Sequence, residues 1–491
     1  MKIIYLLLAF TILVACQSQE QKSETPFDQL TALVDQYNEE ALQKGNLNSI
    51  SVAVYRNGQI YHNYYGVDNE MTPGDQSLFE IASISKVFLG SLVARNVVDG
   101  RISLQDDIRM YLSGRYENLE FEGTPITIQD LLTHTIGFET PPKFNAVFGR
   151  ISEGYYQNRP FDYNMDSLFL ELRHVTLTHQ PGTYYDYNNV GPELAAYILE
   201  QVNQQSYKAQ LQVFLDELGM QQTYLQEFNK HRELLVKGFD EDNQPAPNSK
   251  NPLLGGSAGM ITTLPDLVKF MKFQLESDDP LIKEATKKLF EDDEDNVMGY
   301  LWQDLGVAEE EGFYYSKTGD ANGIKSGLLI CPDSNYGQIV IINNQSEAAY
   351  RDWATTFNQI ETDLIKYPKI NLYTKLRPEF LTNKTAALAK YKKLTKNDTA
   401  YFNTNLSWCL NNIGYELLYQ QSNPQKAIEL FEFALQQDPE NANLFDSLGE
   451  AWFVAKDYEK SLLHYEKSLE LNPANATAKS SIEKIKQLMK S

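Results

Sequence analysis

The stretch "FEIASISKVFLG", residues 79–90, places Ser83, Ser85 and Lys86 within four positions. On a helix, residues i and i+3 share a face, whereas i+2 points elsewhere. Ser83 can therefore touch Lys86, and Ser85 cannot serve from the same face. A serine hydroxyl is a weak nucleophile that needs a base beside it, which makes Ser83 and Lys86 a candidate pair. The apolar positions from here to Val98, closed by Asp99-Gly100, predict a helix that begins at Ser83. A nucleophile at that end would sit among free backbone N–H groups and the positive end of the helix dipole, which favour a developing negative charge. Ser85 is expected to line the helix or the pocket.

Spacing alone does not single this pair out. Ser481-Ile482-Glu483-Lys484 repeats it in a segment that reads as solvated surface. Tyr-x-Asn occurs at Tyr61, Tyr116, Tyr156 and Tyr401 as well as at Tyr187-Asn188-Asn189, and Lys317-Thr318-Gly319 occurs once. Order decides. "FEIASISKVF", "ITIQDLLTHTIGF", "PGTYYDYNNVGPELAAYILE", "GGSAGMITTLPDLVKFM" and "YYSKTGDANGIKSGLLICP" follow one another along the chain.

That series resembles the serine β-lactamase-like hydrolases, in the branch with class C β-lactamases, D-alanyl-D-alanine peptidases and related esterases. The likeness covers residues 27–367. It implies that Ser83 is the acylated nucleophile and that Lys86 is the cation that activates it and relays protons. It implies further that Tyr187 is the general base, that Asn189 orients Lys86 and substrate, and that Lys317 stabilises negative charge on substrate from a strand. Thr318, Gly319 and Asp320 would bind substrate, with the backbone N–H groups of Ser83 and Asp320 as the oxyanion hole. No cofactor and no metal are implied. Three departures stand out: Lys317 where many esterase-like relatives carry histidine, Asp320 where a small residue is usual, and Asn188 in place of serine or alanine. The first brings the chain closer to the β-lactamases and peptidases than to the esterases; together they leave the machinery in place and put efficient β-lactam hydrolysis in doubt.

Periodicity gives the frame. "FDQLTALVDQYNEEALQ" has helical spacing. "SISVAVYRNG" and "QIYHNYYGV" alternate like two strands joined at Asn57-Gly58, a hairpin signal. Short helices are predicted near 128–132, 191–201 and 265–274, strands at "GFYYSKTG", "IKSGLLICP" and "YGQIVIINN", and a long helix over 347–365. Two early strands, three late ones and helices between them predict an α/β (α+β) fold, an antiparallel sheet flanked by helices with a helical insertion.

Beyond Tyr367 strand signals stop. Gly414 matches Gly449, Ala427 matches Ser461, Phe431 matches Tyr465 and Pro439 matches Pro473, a period of 34 to 35 residues. This resembles the tetratricopeptide repeat, an all-α stack of helix pairs. Residues 368–400 read as a helical linker and 401–491 as the repeat domain, whose groove implies a protein partner.

At the other end Lys2 precedes an apolar run from Ile3 to Ala15, short for a membrane span. It closes on Leu13-Val14-Ala15-Cys16, which resembles the lipobox of bacterial lipoproteins. Residues 1–16 are then a signal peptide with Cys16 as the lipidated residue, and 17–26 a polar tether. The expectation is an exported chain anchored by lipid to a bacterial membrane, on the periplasmic or outer-membrane side. Hydrophobic residues make up 42% of 491, enough for packed cores, and the net charge of −23 argues against a nucleic-acid partner. Cys331 and Cys409 offer no disulfide framework or zinc spacing.

Several tempting groups have plainer readings. Gly255-Gly256-Ser257-Ala258-Gly259 fits a nucleophile elbow, but the only histidine after Ser257 is His464, in the repeat region. His134 reads as a structural, hydrogen-bonded histidine. His174 and His179 lack metal-ligand partners, and the acidic run 291–296 lacks the spacing of a calcium loop. The leading expectation is a lipid-anchored serine hydrolase acting through an acyl-enzyme on D-amino-acid-containing peptides or small esters. The alternative is a penicillin-binding-like sensor or scaffold that binds peptides without efficient turnover and recruits a partner through its repeats.

Overall fold

The computed structural model describes residues 26–141, 143–144, 164–248, 255–293, 296–396 and 399–490. Cys16, the signal-like segment and the tether up to residue 25 lie outside the described residues. So do 145–163 and 249–254. Among the described residues no helix is long and apolar enough to cross a membrane.

Six strands form one antiparallel sheet: β1 Ser49–Arg56, β2 Gln59–Gly66, β3 Gln303–Ala308, β4 Gly312–Ala321, β5 Ile324–Cys331 and β6 Tyr336–Ile342. Their order is β3-β4-β5-β6-β1-β2, so the first strand of this sheet in chain order pairs with its last. The β1–β2 hairpin turns on Asn57 and Gly58, whose φ values of 51° and 83° are both positive, as a two-residue hairpin turn of this kind requires. The added strand, β3, has a register shift between Gln303 and Gly306, with Asp304 and Val307 open to solvent.

Period-two alternation sends each strand's side chains to opposite faces, and here both faces are covered. Val52, Val54, Val340 and Ile342 pack under α1 (Pro26–Gln43) and a later helix, Glu347–Leu364. Ala53, Tyr55, Ile339 and Ile341 face the larger helical body. At its centre lies α2, Ser85–Val98, buried nearly all round as a core helix must be. Beside it are α3 (Val190–Asn203) and α4 (Leu264–Glu276). A small sheet, in which Phe79–Glu80 pairs with Met260–Thr262 and that strand with Thr223–Leu225, delivers the chain to the start of α2.

With Glu347–Leu364 as α5, seven α-helices follow among the described residues: α6 Leu372–Thr382, α7 Lys384–Leu394, α8 Leu406–Tyr415, α9 Pro424–Gln437, α10 Ala442–Val454, α11 Tyr458–Leu471 and α12 Ala476–Leu488. The helices from α6 to α10 share one apolar core. The sequence period has a packing basis. Gly414 of α8 lies against Phe431 of α9, and Gly449 of α10 lies in the same way against Tyr465 of α11. In each pair the missing Cβ lets an aromatic ring approach the helix backbone. The helical region is tied to the sheet domain. Phe402 packs into the sheet-side core, and Tyr37 of α1 and Thr374 of α6 both donate to the Asp363 carboxylate.

Candidate active site

Ser83 does not begin the helix. It lies in a 3-10 turn, Ala82–Ile84, one step ahead of α2, and Ala82 takes a left-handed φ of 43°. An L-residue held there costs free energy and persists only where the surroundings over-determine it. The turn presents Ser83 half-buried in the cleft between the helical body and β4. Ser85 points elsewhere. It is fully buried, and its Oγ accepts the backbone N–H of Met260 at 3.3 Å, tying α2 to the small sheet.

Lys86 is completely buried and its Nζ meets three oxygens: Asn189 Oδ1 at 2.7 Å, the Ser257 carbonyl at 2.8 Å and Ser83 Oγ at 3.1 Å. The first two can only accept. A neutral amine would give its two N–H groups to them and turn its lone pair to Ser83. Burial pulls Lys86 down to about 7, partly opposed by the Glu193 carboxylate, so that form is populated near neutrality.

Tyr187 approaches Ser83 from the other side, its OH 2.8 Å from Ser83 Oγ. Lys86 and Lys317 both lie over its ring, with Nζ at 5.0 and 5.1 Å from the centroid. Lys317 is also completely buried. Desolvation lowers it to about 8, and the neighbouring Lys86 adds to the effect while Tyr187 opposes it. Its Nζ stands beside the phenol without a formed hydrogen bond, a buried donor aimed into the cleft.

Asn188 explains its own departure from the family pattern. An Asn at the start of a helix normally spends its side chain on free N–H groups of the first turn. Here Asn188 Oδ1 takes the Gly191 N–H at 2.9 Å, which frees Asn189 for Lys86. His134 is structural. Its Nδ1 accepts from the Asn188 N–H and its carbonyl from the Asp186 N–H, bracketing Tyr187, whose ring lies 4.4 Å from the imidazole. Burial first, then Lys317 and Lys86, hold it well below its ordinary range and keep it neutral.

β3 pairs with β4 only up to Ser316, so Lys317–Asp320 presents an unpaired backbone edge to the cleft. Gly319 is required there, because a Cβ would collide with the Ile81 carbonyl oxygen. Gly319→Val is expected to push β4 off the nucleophile turn, costing roughly 1–3 kcal/mol of stability. Ester hydrolysis should fall at least about 10²-fold, since small misplacements weigh heavily on rate. Thermal melts and initial rates check both. The side chains of Thr318 and Asp320 are not in the site. Their cross-strand partners Gly327 and Lys325 face Trp353 of α5, and Asp320 pairs with Lys325 at 2.9 Å. Only the backbone of these two residues is available to a substrate, and the Asp320 carboxylate does not repel one.

Sequence reasoning missed Glu193. It is fully buried in α3, four residues after Asn189, and accepts from Ser257 N at 2.9 Å, Ser257 Oγ at 2.5 Å and Gly256 N at 3.2 Å. Ser257 is therefore no nucleophile. It braces Lys86 with its carbonyl and Glu193 with its hydroxyl. Cys331 and Cys409 are buried free thiols. His179 stacks on Tyr184, and no group of His, Cys, Asp and Glu among the described residues is placed to hold a metal. Of the acidic run 291–296, residues 294 and 295 lie outside the described residues.

Residues 30–359 match the family model described as Beta-lactamase. The chain belongs to the beta-lactamase family. Among curated relatives, Protein flp of Staphylococcus aureus (strain N315) is 28% identical over 327 residues, 64% of this chain. The chain spans 63% of that relative's length. A beta-lactamase of Providencia stuartii is 22% identical over 66% of this chain and 89% of its own. Among solved structures, the beta-lactamase/D-alanine carboxypeptidase of Yersinia pestis aligns with a TM-score of 0.59 at 21% identity, covering 69% of this chain and 99% of its own. The octameric penicillin-binding protein homologue of Pyrococcus abyssi aligns at 0.57 and 19% identity, over 71% of this chain and 81% of its own. Such distant likenesses establish the beta-lactamase fold and leave the reaction to be argued from the site.

Proposed function

We propose that this beta-lactamase-family chain is a serine hydrolase that forms an acyl-enzyme on Ser83, acting on peptides that carry a D-amino acid, of the cell-wall type, or on small esters. One observation carries the reading. Ser83 Oγ lies within hydrogen-bond distance of Lys86 Nζ, whose neutral amine can take its proton, and of Tyr187 OH, which can pass a proton on, while the two remaining contacts of Lys86 are acceptors only. As the proton leaves Oγ, the oxygen attacks the substrate carbonyl carbon. The tetrahedral oxyanion is received by the backbone N–H groups of Ser83 and Asp320, each such donor being worth roughly 10²–10³ in rate. The leaving group takes the proton back through Tyr187, with Lys86 as relay. Water then repeats the attack and frees Ser83. Lys317, buried and unpartnered, offers a charged donor to substrate at the unpaired edge of β4, along which a peptide could add as a further strand. Peptidase or esterase action fits best, and β-lactam hydrolysis is an outcome to be measured.

Residues 1–16 are read as a lipoprotein signal peptide with Cys16 lipidated, and on that reading the catalytic domain would act outside the cytoplasm. The helix pairs α8–α9 and α10–α11 are read as tetratricopeptide-type repeats that bind a protein partner. The recurring glycine-to-aromatic contact between paired helices supports that reading.

The test is the pH dependence of p-nitrophenyl ester hydrolysis. The neutral amine of Lys86 is required and burial holds that group at about 7. kcat/KM should therefore be low under acid conditions and rise through an inflection near pH 7. Absence of turnover at every pH, with only stoichiometric acylation by a labelled penicillin, would favour the sensor reading instead.

A further inference from the structure

We propose that Glu193 is a positioning residue for the Ser83–Lys86 pair: its carboxylate clamps the Gly256–Ser257 turn so that the Ser257 carbonyl meets Lys86, and its negative charge sets the protonation state of the Lys86 amine. The inference rests on the role given to Lys86 above and names what controls it.

The geometry is a closed relay. Glu193 takes three hydrogen bonds, all from Gly256 and Ser257. The Ser257 carbonyl, on the other side of the same residue, accepts from Lys86. Asn189, the second acceptor for Lys86, lies four residues before Glu193 on α3, so both hands that hold the amine are fixed to one helix turn. The turn packs closely on α3, so that a Cβ on Gly256 would collide with the Pro192 carbonyl oxygen.

The charges around the pair are few. Lys86 is faced by Tyr187, Lys317 and His134, the last held neutral. Glu193 is faced by Lys86 and by the buried phenol of Tyr207, whose OH has no hydrogen-bond partner. Burial pushes Glu193 up, while its hydrogen bonds to Ser257 and Gly256 and the charge of Lys86 oppose the shift. In the other direction, the carboxylate raises Lys86 against its burial. Glu193 is the one charge that opposes the burial of Lys86, whereas Glu193 itself is held mainly by its hydrogen bonds to Ser257 and Gly256 and less by Lys86, so the two opposite charges titrate as a coupled pair. Removing the negative member leaves the ammonium alone, so the neutral amine forms at lower pH.

The experiment compares the pH profile of p-nitrophenyl acetate hydrolysis by the full chain and by its Glu193→Gln variant. The inflection near pH 7 is expected to move to lower pH by about 1 unit or more. kcat at neutral pH should fall and KM should change little. Ser257→Ala, which strips the carboxylate of its hydroxyl donor, should move the inflection the same way by less, and it keeps the test open if Glu193→Gln does not fold. A purely structural Glu193 would lower the rate at every pH and leave the inflection in place, and that result overturns the proposal. An unaltered chain with no inflection near pH 7 would instead overturn the assignment of Lys86 itself.

Discussion

Replacing Ser83 with alanine is expected to abolish acylation, while Ser85→Ala and Ser257→Ala remain acylated at one site. The three serines differ in what their hydroxyls can reach. Ser83 Oγ is half-open to the cleft, with Tyr187 OH at 2.8 Å and Lys86 Nζ at 3.1 Å. Ser85 Oγ is sealed in the core against the Met260 N–H, and Ser257 Oγ is sealed against Glu193. Neither can meet a substrate carbonyl. Loss of a nucleophile that acts as one unit with its base removes nearly the whole of the chemical acceleration, roughly 10⁴-fold or more. Intact-mass spectrometry after exposure to a labelled penicillin and an activated ester reads the result directly. The native chain, Ser85→Ala and Ser257→Ala should each gain one acyl group, and Ser83→Ala none. An adduct of the same mass on Ser83→Ala would end the assignment, and with it the reading of the opening motif.

Much of this site is legible because five segments, in their order, resemble the β-lactamase-like hydrolases, and that resemblance points to Ser83, Lys86, Tyr187, Asn189 and Lys317, which the folded chain brings together. The frame is legible too wherever periodicity is strong. The alternation in "SISVAVYRNG" and the apolar run in "YGQIVIINN" report strands, and Asn57-Gly58 reports the hairpin, while the structure shows that both faces of the sheet are covered. Other parts are not legible. β3 was not readable as a strand, since Gln303–Ala308 has a bulge, a central glycine and little β-branched character. The start of α2 is displaced to Ser85, after Ala82 in a left-handed conformation where the Ile81 carbonyl packs against Gly319, and nothing in the local sequence signals this. Glu193 was hidden by its position. An acidic residue in the first turn of a helix has an ordinary explanation in the helix dipole, and nothing local reveals that a glycine-rich turn some 60 residues later closes over it. Asn188 and Asp320 looked like obstacles for the opposite reason. Their side chains are spent on helix capping and on a cross-strand ion pair, which only the tertiary structure discloses.

Lys86→Met is expected to lower ester hydrolysis by roughly 10²–10⁴ and, in the same protein, to remove a pH-dependent penalty on folding. The two effects have one cause. Lys86 is held at about 7 against an ordinary 10.5 because its ammonium is buried, so between those values the unfolded chain carries a proton that the folded chain does not. Stability of the native chain must then rise with pH across that window. The penalty is fully present below pH 7 and gone above 10.5, and at neutral pH it is on the order of 4 kcal/mol. Methionine fills much the same volume without the charge, but it leaves Asn189 Oδ1 and the Ser257 carbonyl without a donor, at about 1–3 kcal/mol each. Near pH 7 the gain and the loss nearly cancel, so a single melting temperature decides nothing. The difference between the two proteins as pH rises does decide, since tyrosines that titrate in both drop out of it. Urea denaturation at pH 7, 8.5 and 10 should show the native chain gaining on Lys86→Met by several kcal/mol over that range. A constant difference would mean that Lys86 is charged in the folded protein throughout, and the proton of Ser83 would then have to leave through Tyr187 alone.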